Sequence, residues 1–234
     1  MENILKLCVN RLGSPVSEIQ FPVTRIFNAG WAGSDRAAIQ HHIDELAEMG
    51  VSAPQFIPTL FALGNHMLTT SDSIQVHGDR TSGEVEYVLF KHNDELYVTV
   101  GSDHTDRRLE AHSIPKAKNV CLNVMAQDVW PYEEVRAHFA KLELTCWVLK
   151  DGERSLYQKD LCSALLPPEY WLNDFETRIG GFGEGAVLFS GTIGTTAGLV
   201  VGDSYELRLA DPILNRAIRH EYNCEILSGA IEDY

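Results

Sequence analysis

The chain has few basic residues. Among its 234 residues, 19 are Lys or Arg and 33 are Asp or Glu, which gives a formal net charge of -14 at pH 7. Binding to nucleic acid or to an anionic membrane requires clustered cations that replace counterions at phosphates. We therefore expect neither a nucleic-acid partner nor a membrane partner. An acidic protein that binds an anionic ligand needs a local positive charge, and a bound divalent cation is one way to provide it.

Paired cysteines and long apolar segments are also lacking. The chain has five scattered cysteines: Cys8, Cys121, Cys146, Cys162 and Cys224. They form no CxxC pair, so neither a disulfide framework nor a zinc ribbon is predicted. The longest apolar stretch, 185–201, is interrupted by Gly, Ser and Thr, which is not typical of a membrane-spanning helix. The first residues do not have the pattern of a signal peptide, and we expect a cytoplasmic protein.

Short runs rich in β-branched and aromatic residues predict many strands. Two strands at about 4–9 and 19–27 belong to an N-terminal part, residues 1–30, that packs on the rest. A β-meander follows between about 74 and 101, with a turn at Asn93-Asp94, and the final third is again strand-like. The length and the absence of a repeat or linker favour one domain over residues 1–234.

Two helices are predicted. Ser34 is a suitable N-cap for a helix over about 35–49, with apolar residues at helical spacing and Gly50 as its end. A second helix is predicted from Pro131, because proline is favoured in the first helical turn. Strands that outnumber helices in this way indicate an α+β fold with a mixed or antiparallel sheet.

Glu84 and Glu86 form the most suggestive polar pair. Residues i and i+2 on a strand point to the same face, so two carboxylates lie side by side. Such a pair is commonly a solvated sheet face, and the alternative is a site for a hard cation, which prefers oxygen ligands. Asp103 follows the next strand, and a hairpin return brings it beside the pair. Three carboxylates favour Mg²⁺ or Mn²⁺ over zinc, whereas the neighbouring His104 points the other way.

His42 and Glu45 lie at i and i+3 on the first predicted helix, within reach of each other. One interpretation is the polar edge of an amphipathic helix. The other is a general base in which the carboxylate orients the imidazole. The residues alone do not decide between the two.

Three further residues are candidates for holding an anionic substrate: Arg107, Lys118 and Thr192. Arginine binds a carboxylate through a bidentate fork and lysine acts as a point charge, although each residue taken singly is more often an ordinary surface residue. The glycine-containing segment 190–194 allows backbone N–H groups to approach a carboxylate closely.

Taken in order, these segments resemble motifs of the fumarylacetoacetate hydrolase superfamily over about residues 24–212. The following elements carry the resemblance: His42-x-x-Glu45, Glu84-x-Glu86, Asp103-x-x-x-Arg107, Ala117-Lys118, Asp151-Gly152-Glu153 with Gln158, and Ser190-Gly191-Thr192 followed by Gly202-Asp203. The chain departs from the family pattern at Arg108, where the family usually has Asp, at Glu110, where Gln is common, and at Ile193, where Pro is common.

The resemblance implies an α+β fold with a large rolled mixed sheet, assembled as a homodimer. It implies Mg²⁺ or Mn²⁺, with Ca²⁺ as a further candidate, bound by Glu84, Glu86 and Asp103. The substrate that the resemblance implies is a small 2-oxo acid whose carboxylate end would contact Arg107, Lys118 and Thr192. In the reaction that the resemblance implies, His42, oriented by Glu45, would activate a water molecule for hydrolysis of an acylpyruvate-type C–C bond, and the metal would stabilise the enolate that develops.

The same motifs leave other functions open. One metal site of this kind supports decarboxylation, hydration of a dienoate or keto–enol isomerisation. A non-catalytic domain that senses a metal and an organic acid is a further alternative, because of the substitutions at Arg108 and Glu110.

Overall fold

The fold consists mainly of β-strands. A computed structural model of the chain describes residues 2–37, 39–40 and 56–227. Its strands, in chain order, are β1 (Asn3–Val9), β2 (Ser17–Val23), β3 (Arg25–Gly30), β4 (Thr59–Leu63), β5 (Leu68–Thr69), β6 (Ser73–His77), β7 (Thr81–Ser82), β8 (Val85–His92), β9 (Glu95–Ser102), β10 (Thr105–Asp106), β11 (Asn123–Met125), β12 (Asp128–Pro131), β13 (Glu143–Lys150), β14 (Glu153–Leu161), β15 (Ala186–Phe189), β16 (Ser204–Asp211) and β17 (Arg216–Leu227).

The strands form two large sheets and one small one. The ten-stranded sheet has the order β2-β1-β12-β9-β8-β15-β3-β4, and β11 pairs with both β9 and β5. The five-stranded sheet has the order β14-β13-β16-β17-β6, while β7 and β10 pair separately. Parallel pairs, such as β15 with β3 and β17 with β6, occur among antiparallel ones. The predicted α+β fold with mixed sheets and few helices is therefore confirmed.

Three α-helices are described in full: α1 (Arg107–Glu110), α2 (Ile114–Lys118) and α3 (Pro168–Ile179). Helix α3 was not predicted, although the sequence contains its signals. Pro168 occupies the first turn, buried Trp171 and Phe175 are one turn apart, and Gly180 ends the helix in the left-handed conformation at φ +77°. None of these helices, nor any other within the described residues, is long and apolar enough to cross a membrane.

The helix predicted from Pro131 is wrong. Pro131 ends β12, and the chain continues as two 3₁₀ segments, Tyr132–Glu134 and Arg136–Lys141. His138 interrupts the second segment with φ -132°, and its Nε2 lies 3.0 Å from the carboxylate of Asp211 on β16. The tertiary contact of this side chain outweighs the local helical preference.

The helix predicted over 35–49 is helical where it is described, at residues 36, 37, 39 and 40. Its N-cap is Asp35 and not Ser34, because Asp35 Oδ1 accepts a hydrogen bond from Ala37 N at 2.9 Å. The Ser34 hydroxyl instead donates to Ser163 O at 2.8 Å. The remainder of the predicted segment, with His42 and Glu45, lies outside the described residues.

Both faces of the central strands are buried in two separate cores. Val85, Tyr87 and Leu89 of β8 face the larger core, which also contains side chains of the five-stranded sheet. Val88 and Phe90 of the same strand face the second core, on the other side of the ten-stranded sheet. Because side chains alternate along a strand, Glu86 lies on the same face of β8 as Val88 and Phe90. Its carboxylate therefore points away from the five-stranded sheet.

The ten-stranded sheet is strongly curled. Asn28 lies on β3 and Asn123 on β11, and three strands (β9, β8 and β15) separate them in the sheet order. The Asn123 Nδ2 nevertheless donates to Asn28 Oδ1 at 2.8 Å. The curl therefore closes the sheet around the side chains of its second face, at the level where Glu86 lies.

Candidate active site

The β8–β9 hairpin brings three carboxylates together. Asn93 and Asp94 make the tight turn between the strands, with φ values of +51° and +60°. Glu86 is opposite Gly101, and the pairing continues beyond the strand ends, since Asp103 N donates to Glu84 O at 3.1 Å. The three carboxylates offer ligand oxygens that lie within 4.8 Å of one another. The predicted hairpin return of Asp103 to the Glu84–Glu86 pair is confirmed.

Two of these carboxylates are fully buried. Glu86 is 1% exposed and Asp103 is 0% exposed, whereas Glu84 lies at the edge of the cluster with a side chain 17% exposed. Burial is the main cause that raises the pKa of Glu86, and the neighbouring Asp103 raises it further. Burial also raises the pKa of Asp103, which the positive charge of Lys118 opposes. Without a bound cation, burial therefore disfavours the charged forms of Glu86 and Asp103. A cation bound among the carboxylates would favour those charged forms.

Gly191 provides the backbone contact to the cluster. Its N–H donates to Glu86 Oε2 at 2.8 Å, and its φ of +82° is in the left-handed region that favours glycine. A Cβ at this position would lie 2.9 Å from Ala32 Cβ. Glycine is therefore required here both by the backbone conformation and by the close approach of a neighbouring segment.

The segment after Gly191 is fixed by one buried glutamine of the other sheet. Gln158, on β14, donates to Thr192 Oγ1 at 2.9 Å and to Ile193 O at 2.7 Å. Its Oε1 accepts from Val85 N at 2.9 Å, and Thr192 Oγ1 donates to Val85 O at 2.8 Å. From the sequence, Gln158 is recognisable only through the family resemblance, and its role is not predicted. Its contacts show that it joins the segment 190–194 to the start of β8.

Lys118, at the end of α2, is the cation nearest to Asp103. Its Nζ contacts the Asp103 carboxylate, lies 4.0 Å from Glu84 Oε2 and lies 6.0 Å from the centre of the Phe61 ring. Burial by itself lowers the pKa of Lys118, but the carboxylates of Asp103 and Glu84 outweigh it and hold that pKa above its ordinary value. The ammonium group therefore stays charged inside the site.

Arg107, the first residue of α1, lies on the other side of Glu84. Its Nη2 is 3.0 Å from Glu84 Oε1, its Nη1 is 2.9 Å from Glu110 Oε2, and its Nε donates to Ser82 Oγ at 2.7 Å. Burial by itself lowers the pKa of Arg107, but the charges of Glu84 and Glu110 outweigh burial. The pKa of Arg107 is therefore raised above its ordinary value. Arg108, by contrast, is exposed. Neither Ser82 nor Glu110 was predicted as a site residue from the sequence.

His104 belongs to the opposite face, as strand alternation predicts. Its Nδ1 lies 3.0 Å from the Tyr222 hydroxyl and its Nε2 lies 2.9 Å from Thr81 Oγ1. The imidazole is completely buried, and this burial lowers the pKa of His104 to about 3. A neutral side chain with both nitrogens engaged in this way has a structural role.

Asn28 and Asn123 add a buried amide pair to the face that carries the carboxylates. Phe189 pairs with Val88 and with Asn28, so Asn28 shares the face of Val88 and Glu86. Both amides are completely buried, and within the described part of the chain Asn28 Nδ2 and Asn123 Oδ1 have no hydrogen-bond partner. This pair is not predictable from the sequence, because no local pattern connects positions 28 and 123.

Comparison with known families now identifies the chain. A family model described as "Protein of unknown function (DUF2848)" matches residues 29–222, which is most of the chain. The chain belongs to the DUF2848 family. No curated protein matches this DUF2848 chain.

Solved structures of low sequence identity share the fold of this DUF2848 protein. It resembles 5-carboxymethyl-2-hydroxymuconate delta-isomerase from Mycobacterium smegmatis with a TM-score of 0.63 and 16% identity, over 90% of this chain and 82% of that one. For 2-keto-3-deoxy-D-arabinonate dehydratase complexed with magnesium and 2,5-dioxopentanoate, the TM-score is 0.62 and the identity 14%, over 91% and 77% of the two chains.

A third similar structure belongs by its description to the family that the sequence motifs resemble. It is a protein from Yersinia pestis CO92 described as a member of the fumarylacetoacetate hydrolase family, with a TM-score of 0.61 and 17% identity, over 86% of the DUF2848 chain and 94% of the other. The DUF2848 chain therefore has the fumarylacetoacetate hydrolase superfamily fold, which confirms the resemblance seen in its motifs. At sequence identities this low, structural similarity establishes the fold alone. The reaction has to be inferred from the site.

Proposed function

We propose that this protein is a divalent-metal-dependent enzyme that hydrolyses a C–C bond of an acylpyruvate-type 2-oxo acid. One observation carries the proposal: Glu84, Glu86 and Asp103 form a largely buried carboxylate cluster next to Lys118. Three carboxylates at such short separations repel one another, and burial makes their charging still less favourable. A cation bound among them would compensate both effects.

The residues of the cluster fit a hard divalent cation. All their donor atoms are carboxylate oxygens, which suit Mg²⁺ or Mn²⁺ better than zinc, and Ca²⁺ also takes such ligands. The similar dehydratase is complexed with magnesium, which supports the same class of ion here. When bound, the cation supplies positive charge that attracts the carboxylate and keto oxygens of the acid and stabilises negative charge developing on it.

The neighbouring side chains suit the binding of the acid. Lys118 supplies a buried ammonium group next to Asp103. Thr192, whose hydroxyl donates to Val85 O, directly follows Gly191, whose N–H contacts Glu86. We assign Lys118 and Thr192 to the substrate carboxylate. Arg107, the third residue of the set predicted from the sequence, holds Glu84 through its guanidinium, and we assign it to positioning that metal ligand.

The step that distinguishes hydrolysis is the activation of water. We assign it to His42, oriented by Glu45, on the strength of their i, i+3 spacing and of the family resemblance. A general base of this kind contributes roughly 10²–10⁴-fold to the rate. The protein is further expected to be a cytoplasmic homodimer, as the resemblance and the sequence suggested.

A second reaction class is favoured by the structural neighbours. They include a dehydratase and an isomerase on the same fold, so dehydration, decarboxylation or isomerisation of a 2-oxo or 2-hydroxydienoic acid is the alternative chemistry for the same cluster. Metal-dependent turnover within a panel of acylpyruvates, oxaloacetate and hydroxydienoates would identify the class. Binding without turnover across the panel would favour the metal- and acid-sensing alternative.

Metal binding is the part of the proposal to be tested first. Mn²⁺ or Mg²⁺ should raise the melting temperature of the wild-type protein, because a ligand bound only by the folded state stabilises it by RT ln(1 + [L]/Kd). Glu84→Ala should abolish the rise, measured by differential scanning calorimetry. Glu153→Ala, the same change at an exposed residue that begins β14, is the control and should keep the full rise. An undiminished rise in Glu84→Ala would place the metal elsewhere.

A further inference from the structure

Glu110 forms an ion pair with the arginine next to the carboxylate cluster. Helix α1 consists of a single turn, and its first and last residues, Arg107 and Glu110, lie at i and i+3 on the same side. The Nη1–Oε2 distance is 2.9 Å, and the side chains of Arg107 and Glu110 are only 12% and 30% exposed. Limited exposure leaves this pair weakly screened by solvent.

The rest of the Arg107 guanidinium is occupied as well. Its Nη2 faces Glu84 Oε1 at 3.0 Å and Ser82 O at 3.4 Å, while its Nε donates to Ser82 Oγ. Each of its three nitrogens thus contacts an acceptor of the protein itself. An arginine held in this way positions Glu84 and has little capacity left for a second carboxylate from a substrate.

The charges of the cluster and of its direct ion-pair partners can be counted from these contacts. Among the described residues, four carboxylates (Glu84, Glu86, Asp103 and Glu110) face two cations, Arg107 and Lys118. A divalent cation would bring the net charge of these six side chains and the metal to zero. A substrate with one carboxylate would then add one negative charge. A substrate with two carboxylates would add a second negative charge, and this set has no free cationic side chain to pair with it.

We propose that Glu110 makes the site selective for 2-oxo acids that carry a single carboxylate and a neutral distal end. The inference rests on the proposed function, since it specifies the substrate class of the same site. Glu110 acts in two ways: its charge repels a distal carboxylate, and its ion pair keeps Arg107 from binding one. At an effective dielectric constant of about 20, as at a partly buried site, two like charges separated by up to about 10 Å repel strongly enough to change affinity by roughly tenfold or more.

The test compares two acids that differ only at the distal end. 2-Oxopentanoate ends in a methyl group and 2-oxopentanedioate ends in a carboxylate; neither has a second carbonyl group for the proposed hydrolysis. Both are titrated by calorimetry into the Mn²⁺-saturated protein. The wild type should bind the monocarboxylate at least about tenfold more tightly, and Glu110→Gln should reduce this preference by at least about tenfold.

Glu153→Gln removes the same charge at an exposed position five residues from Gln158, about 16 Å along an extended strand, and should leave the preference unchanged. Equal or tighter wild-type binding of the dicarboxylate overturns the inference. So does an equal effect of Glu110→Gln on both acids. In these two cases the acids still bind, so the proposed function stands. If neither acid binds to the Mn²⁺-saturated wild type, the acid-binding part of the proposed function fails, and this inference fails with it.

Discussion

Glu86 is surrounded by groups that do not usually accompany a charged residue. Its neighbours on the same face of β8 are Val88 and Phe90, which pack in an apolar core. Within this setting its carboxylate receives one backbone N–H, from Gly191, and lies close to Asp103 and Glu84. A buried carboxylate with so few compensating contacts is retained for a function more readily than for stability.

The role of His42 is a prediction at this residue scale, and it decides between reaction classes. Hydrolysis requires a base that activates water, whereas decarboxylation depends mainly on the metal as an electron sink. If hydrolysis is native, His42→Ala should lower kcat for an acylpyruvate by roughly 10²–10⁴-fold. Steady-state kinetics measure this effect, and calorimetry with Mn²⁺ and oxalate should show binding nearly unchanged.

The adjacent His41 provides a matched control. In the helix predicted from the sequence, neighbouring side chains would point about 100° apart, so His41→Ala would remove an imidazole that points in a different direction. Its activity should stay close to that of the wild type. Retention of oxaloacetate decarboxylation by His42→Ala, with no acylpyruvate hydrolysis in either protein, would return His42 and Glu45 to the interpretation of a polar helix edge.

The β8–β9 hairpin is the element that assembles the site. Because side chains alternate along a strand, a register shift of one residue would move Asp103 to the face where His104 now lies. The register is determined by the two-residue turn at Asn93-Asp94 and by the apolar side chains that both faces of β8 and β9 bury. The metal-ligand geometry therefore depends on a turn at the far end of the hairpin.

Asp94→Gly is the prediction for this element. Asp94 has a φ of +60° at the second central position of the turn, where glycine is preferred after Asn. Removing the backbone strain should raise the free energy of unfolding by about 0.5–1 kcal/mol. The lost ion pair with Lys91, at 3.1 Å, matters little because the Asp94 side chain is 96% exposed.

Urea unfolding measures the stability of Asp94→Gly, and the rise in melting temperature caused by Mn²⁺ should equal that of the wild type. Gly152→Ala, in the corresponding β13–β14 turn, is the reverse control. Its φ of +81° disfavours a side chain, so this variant should lose stability by a similar amount. A destabilised Asp94→Gly would show that the contacts of the aspartate outweigh the strain of the turn.

Two buried polar contacts join the sheets of the whole molecule at the site. Gln158 of the five-stranded sheet holds the start of β8, and His104, just after β9, reaches Tyr222 on β17. The Tyr222 hydroxyl also lies 2.8 Å from Ser102 Oγ, which accepts from Glu84 N at 3.0 Å. The position of Glu84 is thus linked through neutral hydrogen bonds to the second sheet.

The burial of His104 predicts how global stability depends on pH. Burial lowers the pKa of His104 to about 3 from its ordinary value of 6.5, so below pH 6.5 the unfolded chain binds a proton that the folded chain excludes. This contribution to stability is complete above pH 6.5 and is lost progressively as the pH falls toward about 3, with a slope of up to about 1.4 kcal/mol per pH unit.

Urea unfolding between about pH 4 and pH 7 tests this dependence. His104→Gln should be less stable than the wild type at neutral pH, because its hydrogen bonds to Tyr222 and Thr81 change. Its stability should nevertheless fall less steeply toward acid. His66→Gln, the same substitution at an exposed histidine, should keep the wild-type slope. Parallel slopes in His104→Gln and the wild type would contradict the assignment.

Local pattern determined much of this protein. The E-x-E spacing put two carboxylates on one face, and the turn residues at 93–94 marked the β8–β9 hairpin, because period-two alternation and turn conformation depend on near neighbours. The order of weak motifs also determined the superfamily fold, which the structural comparison confirmed. The fully described helix α3 was missed despite its Pro168 and Gly180 signals.

Only the tertiary structure decided how deeply the cluster is buried and which side chains reach it from afar. Gln158, Ser82 and the Asn28–Asn123 pair come to the site through sheet packing and curl, which bring together residues separated by long stretches of chain. The contact of Glu110 with Arg107 is local, but its consequence depends on Glu84 and Ser82 occupying the rest of the guanidinium. Long-range contacts of this kind leave no periodic signal in the sequence, since they arise from the packing of whole sheets.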